Sequence, residues 1–154
     1  MKEYGATKMK NTFKHMYWAE PFDFKFLTKH TDDRGSLFEI LRFKEQQIPE
    51  GGQIYTFSIN PNKRRGDHYH LYKQEWFTCV QGSAIVLLSS SDNKHLAITI
   101  SEKMPTIVYV GVGTSHALIN KNDTPAIIVS YGSAQHNPKD EDTYRKIAYE
   151  RYNV

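Results

Sequence analysis

Strict two-residue alternation, interrupted at short intervals by turn chemistry, leaves this chain few folds to choose from. Phe22-Asp23-Phe24-Lys25-Phe26-Leu27 alternates apolar and polar side chains, and Thr31-Asp32-Asp33-Arg34-Gly35-Ser36 then breaks the run. The theme continues over Leu37–Phe43 and Gln53–Ile59, where Tyr55, Phe57 and Ile59 share a face, and Pro61-Asn62 ends it. Further strands are predicted over 75–80, 84–88, 96–100, 106–110 and 126–131, joined by connections such as Gln81-Gly82-Ser83 and Lys121-Asn122-Asp123-Thr124-Pro125. Only the tail, 142–152, reads as a helix, and it fits an extended strand equally well. About eight or nine short strands without convincing helices between them predict an all-β antiparallel sandwich or barrel.

With 154 residues the chain suits one domain, and 39% apolar and 13% aromatic residues supply a core. Twenty basic residues are mixed with 17 acidic ones for a net charge of +3, which does not favour a nucleic-acid partner. No run approaches the roughly 20 apolar residues of a membrane helix, and the start lacks a secretory apolar segment, so the expectation is a cytoplasmic protein with no membrane partner. Residues 1–20 are expected to form a flexible or strand-exchanging arm, its first fourteen residues carrying four Lys, and 21–154 the single domain. The lone Cys79, inside Trp76-Phe77-Thr78-Cys79-Val80, reads as a buried small apolar group in a reducing compartment.

Chemistry concentrates between Lys63 and Gly82. His68 and His70 are two apart, so on a strand both imidazoles leave the same face. Glu75 follows four intervening residues later, enough for a turn that returns its carboxylate to the imidazoles. Gly111-Val112-Gly113-Thr114-Ser115-His116 feeds a further imidazole into a new strand. Three imidazoles and a carboxylate suit a divalent metal such as Zn, Fe, Mn or Ni; without metal the same groups line a pocket as acid, base and hydrogen-bonding groups. His15, His30 and His95 are assigned to surfaces or loops.

H-x-H, four residues, Glu, six residues, Gly, and then G-x-x-H-x-x-x-N ending at Asn120 resembles the two-part signature of the cupin superfamily, with Asn62 where its first motif begins with Gly and Gly111 where its second carries Pro. Asp33-Arg34-Gly35-Ser36-Leu37-Phe38-Glu39-Ile40, Gly52-Gln53, Arg65-Gly66-Asp67-His68-Tyr69-His70 and Asn137-Pro138-Lys139-Asp140-Glu141-Asp142-Thr143-Tyr144 together resemble the C-terminal cupin domain of capsular polysaccharide enzymes. More distantly the chain is similar to dTDP-4-dehydrorhamnose 3,5-epimerases and to sugar-nucleotide 3,4-ketoisomerases, which typically carry Gln where Glu75 stands. The resemblance implies an RmlC-like jelly roll, a homodimer, and an epimerase or isomerase acting beside the ketone of a UDP- or dTDP-linked 4-keto-6-deoxyhexose in cell-surface polysaccharide synthesis. It implies a metal, zinc first, on His68, His70, Glu75 and His116. No NAD(P)H is expected, because no G-x-G-x-x-G follows a strand, so a separate reductase or transferase would complete the pathway.

A carbonyl acidifies its neighbouring C–H, and a base and an acid across a shielded pocket then invert the carbon or move the ketone. The resemblance assigns His68 as base; a coordinated imidazole has no lone pair for that role, which makes Lys73 the next candidate. Tyr109 or Tyr55 returns the proton. Arg34, Arg65 and Gln53 are assigned to substrate, the arginines to its diphosphate, with Arg34 serving a partner's pocket if strands exchange; Lys63 and Arg64 suit a phosphate or a solvated turn equally. A ketoisomerase, a non-catalytic sugar-binding cupin and a metal-dependent oxygenase remain the alternatives, since one fold hosts all of them.

Overall fold

The computed structural model describes residues 17–152, so the expected arm lies almost wholly outside the described residues. Twelve strands are present: β1 Phe22–Phe26, β2 His30–Asp32, β3 Gly35–Leu37, β4 Gln53–Ile59, β5 Lys63–Tyr69, β6 Glu75–Gln81, β7 Ser83–Ser89, β8 His95–Ser101, β9 Thr106–Val110, β10 Ser115–Asn120, β11 Ala126–Gly132 and β12 Tyr144–Arg145. They form two five-stranded antiparallel sheets, ordered β1-β9-β6-β11-β4 and β12-β5-β10-β7-β8, plus a detached β2-β3 hairpin. The inward residues of both sheets, among them Ile59, Phe77, Cys79, Val86, Leu88, Ile100, Val108, Leu118 and Ile128, make one core. The all-β sandwich is therefore as expected. Among the described residues no helix is long and apolar enough to cross a membrane.

Two stretches depart from the expected strands for reasons of packing. Ile40, Leu41 and Phe43 leave the ladder after Leu37 and lie instead against Trp76 and Tyr131 on the outer side of the first sheet. The tail forms neither a helix nor a long strand, because the barrel takes its amides. Lys146 N–H donates to the Asp67 carbonyl, Ala148 N–H to Asp67 Oδ1 and Tyr149 N–H to Ser89 Oγ, while Ala148 is buried among Leu87, Ala117 and Ile119.

One irregularity sets the geometry of β5. His116 opposes His68 and Ala117 opposes Gly66, so Asp67 is an extra residue in the ladder, a β-bulge made by two left-handed residues, Gly66 at φ +104° and Asp67 at φ +60°. The bulge flips the phase of alternation. Arg65 and His68, three apart, face the same pocket, whereas Arg64 turns outward and grips Asp67 through a two-pronged ion pair at 2.7 and 2.6 Å. A Cβ on Gly66 would stand 2.6 Å from the His116 carbonyl oxygen and 2.9 Å from Ala117 Cα. Gly66→Ala should therefore lose at least about 1–3 kcal/mol in urea denaturation. Gly35→Ala, with nothing within 4 Å of the added Cβ, should lose less.

Candidate active site

Four strands converge on one carboxylate. Glu75 begins β6, is 2% exposed, and shares the inward face with Phe77 and Cys79. Its Oε2 lies 3.0 Å from His116 Nε2 of β10 and 3.2 Å from Nε2 of His70, which directly follows β5. Its Oε1 accepts the Tyr55 hydroxyl of β4 at 2.6 Å and lies 3.2 Å from Lys73 Nζ. One oxygen thus faces imidazoles and the other faces an ammonium and a phenol. Burial pushes the carboxyl's pKa up, but the His116 and His70 imidazoles that face it prevail and hold it well below the ordinary value. The Tyr55 hydroxyl is pushed the other way, by burial and by the Glu75 charge it faces.

His68 completes the cluster, its ring centroid 4.6 Å from that of His116 and 4.9 Å from that of His70. Burial first, and the neighbouring imidazoles second, push its pKa down to about 4, so at neutral pH it is an uncharged ring with a lone pair to offer. The ligand atoms of His68, His70, Glu75 and His116 all lie within 4.8 Å of one another. Two further contacts orient the rings. His70 Nδ1 meets the Asp142 carbonyl oxygen, and His116 Nδ1 lies 3.3 Å from the Thr114 carbonyl oxygen. A carbonyl only accepts, so both Nδ1 atoms carry a proton and both Nε2 atoms turn inward to Glu75, where a bound cation would take the place of an Nε2 proton. His70 Nε2 is buried, and although near Glu75 it has no aligned hydrogen-bond partner. Inward imidazole nitrogens beside a buried carboxylate fit a cation, and these four residues can hold a divalent metal.

The pocket in front of this cluster, about 150 Å³, is walled by Tyr55, Phe57, Arg65, Phe77 and Leu118. The Arg65 guanidinium lies over the Phe57 ring at 5.5 Å, and Phe57 stacks on Tyr55 at 6.2 Å. Cys79, buried with its thiol pushed up to about 11 by that burial, offers no nucleophile.

Other residues singled out in the sequence do not reach the pocket. Trp76 pairs with Tyr109 across the sheet, one residue out of step with Glu75, so Tyr109 lies on the opposite face. Its hydroxyl there contacts Glu20 and accepts from Gln74, and burial and the Glu20 carboxylate raise its pKa. Arg34 sits at the tip of the exposed β2-β3 hairpin, paired with Asp32 at 2.5 Å. Gln53 shares a face with Tyr55 but spends its carbonyl on the His136 amide. Arg64 is committed to Asp67 and to the Ala148 and Tyr152 carbonyls. His30 lies on the exposed β2, and His95 opens β8, stacked on Tyr149; His15 lies outside the described residues.

Asp142 is the residue that sequence reasoning missed. Its carboxylate accepts the amides of Leu71, Tyr72 and Lys73 at 2.7, 2.8 and 2.9 Å, closing the turn that joins His70 to Glu75, while its own carbonyl meets His70. Only its place in the Asn137–Tyr144 block of the family resemblance marked it, with no role attached, because its partners are about 70 residues away in sequence.

Comparison with known proteins follows the same lines. Residues 30–144 match the model of the polysaccharide biosynthesis C-terminal domain family. The spore coat polysaccharide biosynthesis protein SpsL of Bacillus subtilis is 28% identical over 127 residues, 79% of this chain and 84% of SpsL. The capsular polysaccharide assembling protein CapF of Staphylococcus aureus superposes with a TM-score of 0.61 at 25% identity, over 79% of this chain; the chain spans about a third, 34%, of CapF. The rmlC epimerase of Mycobacterium tuberculosis superposes with a TM-score of 0.70 at 20% identity, over 80% of this chain and 68% of the epimerase, which makes the fold an RmlC-like cupin.

Partial burial raises the Asp142 pKa, but the three amides outweigh it and hold the carboxyl below its ordinary value. Its contribution to stability is therefore complete above the unfolded-state pKa of about 4 and is lost as pH falls through the lower folded-state value. Asp142→Ala should cost about 1–3 kcal/mol at neutral pH, and chemical denaturation from pH 7 downward should show the variant's acid limb flatter than that of the wild type.

Proposed function

Because this chain belongs to the polysaccharide biosynthesis C-terminal domain family, with residues 30–144 matching its model, we propose that it is a nucleotide-sugar epimerase. In this reading it inverts a carbon beside the ketone of a UDP- or dTDP-linked 4-keto-6-deoxyhexose. The observation that carries it is the divided carboxylate. Glu75 Oε2 faces two imidazoles and Oε1 faces Tyr55 and Lys73, so a cluster able to hold a metal and two proton-bearing groups share one buried carboxylate, with Tyr55, His68 and His116 lining the pocket. RmlC-like relatives described as epimerases, and SpsL and CapF described by polysaccharide synthesis and assembly, support the same assignment.

His68, His70, Glu75 and His116 would hold one divalent ion, zinc by donor set, and when bound it would polarise the ketone oxygen. With His68 used as a ligand, proton transfer falls to Lys73 and Tyr55. Lys73 Nζ exchanges the proton at the carbon next to the ketone, and Tyr55 Oη is the second proton carrier, in place of Tyr109. Arg65, backed by Phe57 and paired with no acid among the described residues, binds the diphosphate at the pocket mouth. The pocket of about 150 Å³ shields the sugar ring and leaves the nucleotide outside. Two chains act as a homodimer, Arg34 of each hairpin reaching toward the other's pocket. A separate reductase or transferase consumes the keto sugar.

NMR of a UDP- or dTDP-4-keto-6-deoxyhexose in heavy water tests the reaction. Deuterium should enter one carbon beside the ketone, C3 first, without NAD(P)H. Lys73→Met should slow exchange by about 10²–10⁴-fold with metal content and UDP affinity intact. Wild-type protein that binds the keto sugar but exchanges nothing over hours is a sugar-binding module. Elemental analysis should find about one metal ion per chain, and His116→Ala should lower metal content and thermal stability together.

A further inference from the structure

One segment without regular structure touches the metal-type cluster at three places. Residues 133–143 run from the end of β11 to the start of β12. Gly132, immediately before the segment, lies opposite Glu75 in the β11–β6 ladder, and Arg145, in β12 beyond it, lies opposite His68 in the β12–β5 pair. Between them Asp142 reaches a third ligand, its main-chain carbonyl meeting His70 Nδ1. Other fastenings are few. Ser133 exchanges two hydrogen bonds with Gln74, both at 2.9 Å, the His136 N–H donates to Gln53, and Tyr144 stacks on Tyr69 at 5.4 Å. From Ala134 to Ile147 every residue is exposed except Asp142. An exposed irregular segment latched at one half-buried residue opens locally at low cost, so its closed state is easily biased.

We propose that this segment is a strap coupled to the metal cluster, with Asp142 as the positioning residue that couples them. Closed, the strap presents His70 to the other three ligands and raises the cluster's affinity for a divalent ion. A bound ion, by holding His70, in turn holds the strap closed. The two effects are one coupling free energy, so the factor by which closure tightens the ion is the factor by which the ion favours closure. Asp142 acts through two groups. Its carboxylate collects the Leu71, Tyr72 and Lys73 amides and fixes the turn that leaves His70, while its carbonyl fixes the His70 ring at Nδ1. An imidazole held at its second nitrogen enters coordination already oriented. The coupling rests on the reading that His68, His70, Glu75 and His116 take up an ion, and not on the reaction proposed for the pocket.

The test uses full-length protein stripped of metal with a chelator, titrated with zinc against a chromophoric chelator, while hydrogen exchange is read amide by amide. Asp142→Ala should bind zinc about 10- to 100-fold more weakly than the wild type, and Asp142→Asn, which keeps an acceptor, should fall between. Ser89→Ala, which loosens the tail at the Tyr149 amide away from the cluster, should bind zinc as the wild type does. In the wild type, zinc should slow exchange of the Leu71, Tyr72 and Lys73 amides by a comparable factor and leave the exposed β2–β3 hairpin unchanged. That readout needs no variant and decides the matter if Asp142→Ala fails to fold. The proposal is overturned if Asp142→Ala binds zinc as tightly as the wild type, if Ser89→Ala loses as much affinity as Asp142→Ala, or if zinc leaves the three turn amides unprotected. A wild type that takes up neither zinc, manganese nor iron(II) removes the metal reading itself and the coupling with it, a result distinct from every variant comparison.

Discussion

Burying one carboxylate organises the barrel. Glu75 sits where water cannot reach it, and an uncompensated carboxylate there would cost several kcal/mol. Compensation comes from four chain segments: Tyr55 on β4, His68 and His70 at the end of β5, Lys73 in the following turn and His116 on β10. None can shift without leaving a buried charge or lone pair facing nothing. The demand reaches the C-terminal tail, since Asp142 fixes both the Lys73 turn and the His70 ring. It also reaches the Gly66–Asp67 bulge, which keeps His68 on the face of Arg65.

This division explains what the sequence could and could not disclose. The metal-type cluster was legible because His68 and His70 obey two-residue alternation and because a short turn returns Glu75 to them. Arg65 was reached only through family resemblance: on a regular strand it would face away from His68, and Gly66-Asp67, both tolerant of left-handed backbone, was the only local sign of a bulge. Tyr109 shows the converse. Alternation says that Ile107 and Tyr109 share a face, but which face is decided by pairing with β6, where Val110 rather than Tyr109 opposes Glu75. Register is a long-range property, and one residue of it exchanges inside for outside.

The tail and the segment after β3 failed as sequence predictions for a related reason. Both have apolar residues at spacings that fit a regular element, yet both serve as covers. Ile40, Leu41 and Phe43 close the outer face over Trp76 and Tyr131, and Ala148 closes the opposite sheet over Leu87, Ala117 and Ile119. A cover buries side chains without needing a ladder, provided its amides find acceptors elsewhere. Asp67 and Ser89 supply them for the tail. Local periodicity does not separate these cases, because the deciding hydrogen bonds span roughly 60 to 80 residues.

Strand β6 gives its two faces opposite surroundings. Its inward residue Glu75 faces an ammonium, and the Arg65 guanidinium lies over Phe57 in the pocket on the same side. Its outward residue Trp76 packs among the rings of Trp18, Tyr109 and Tyr131. Alternation along one strand suffices to build both, since neighbouring side chains of a strand answer to different solvents.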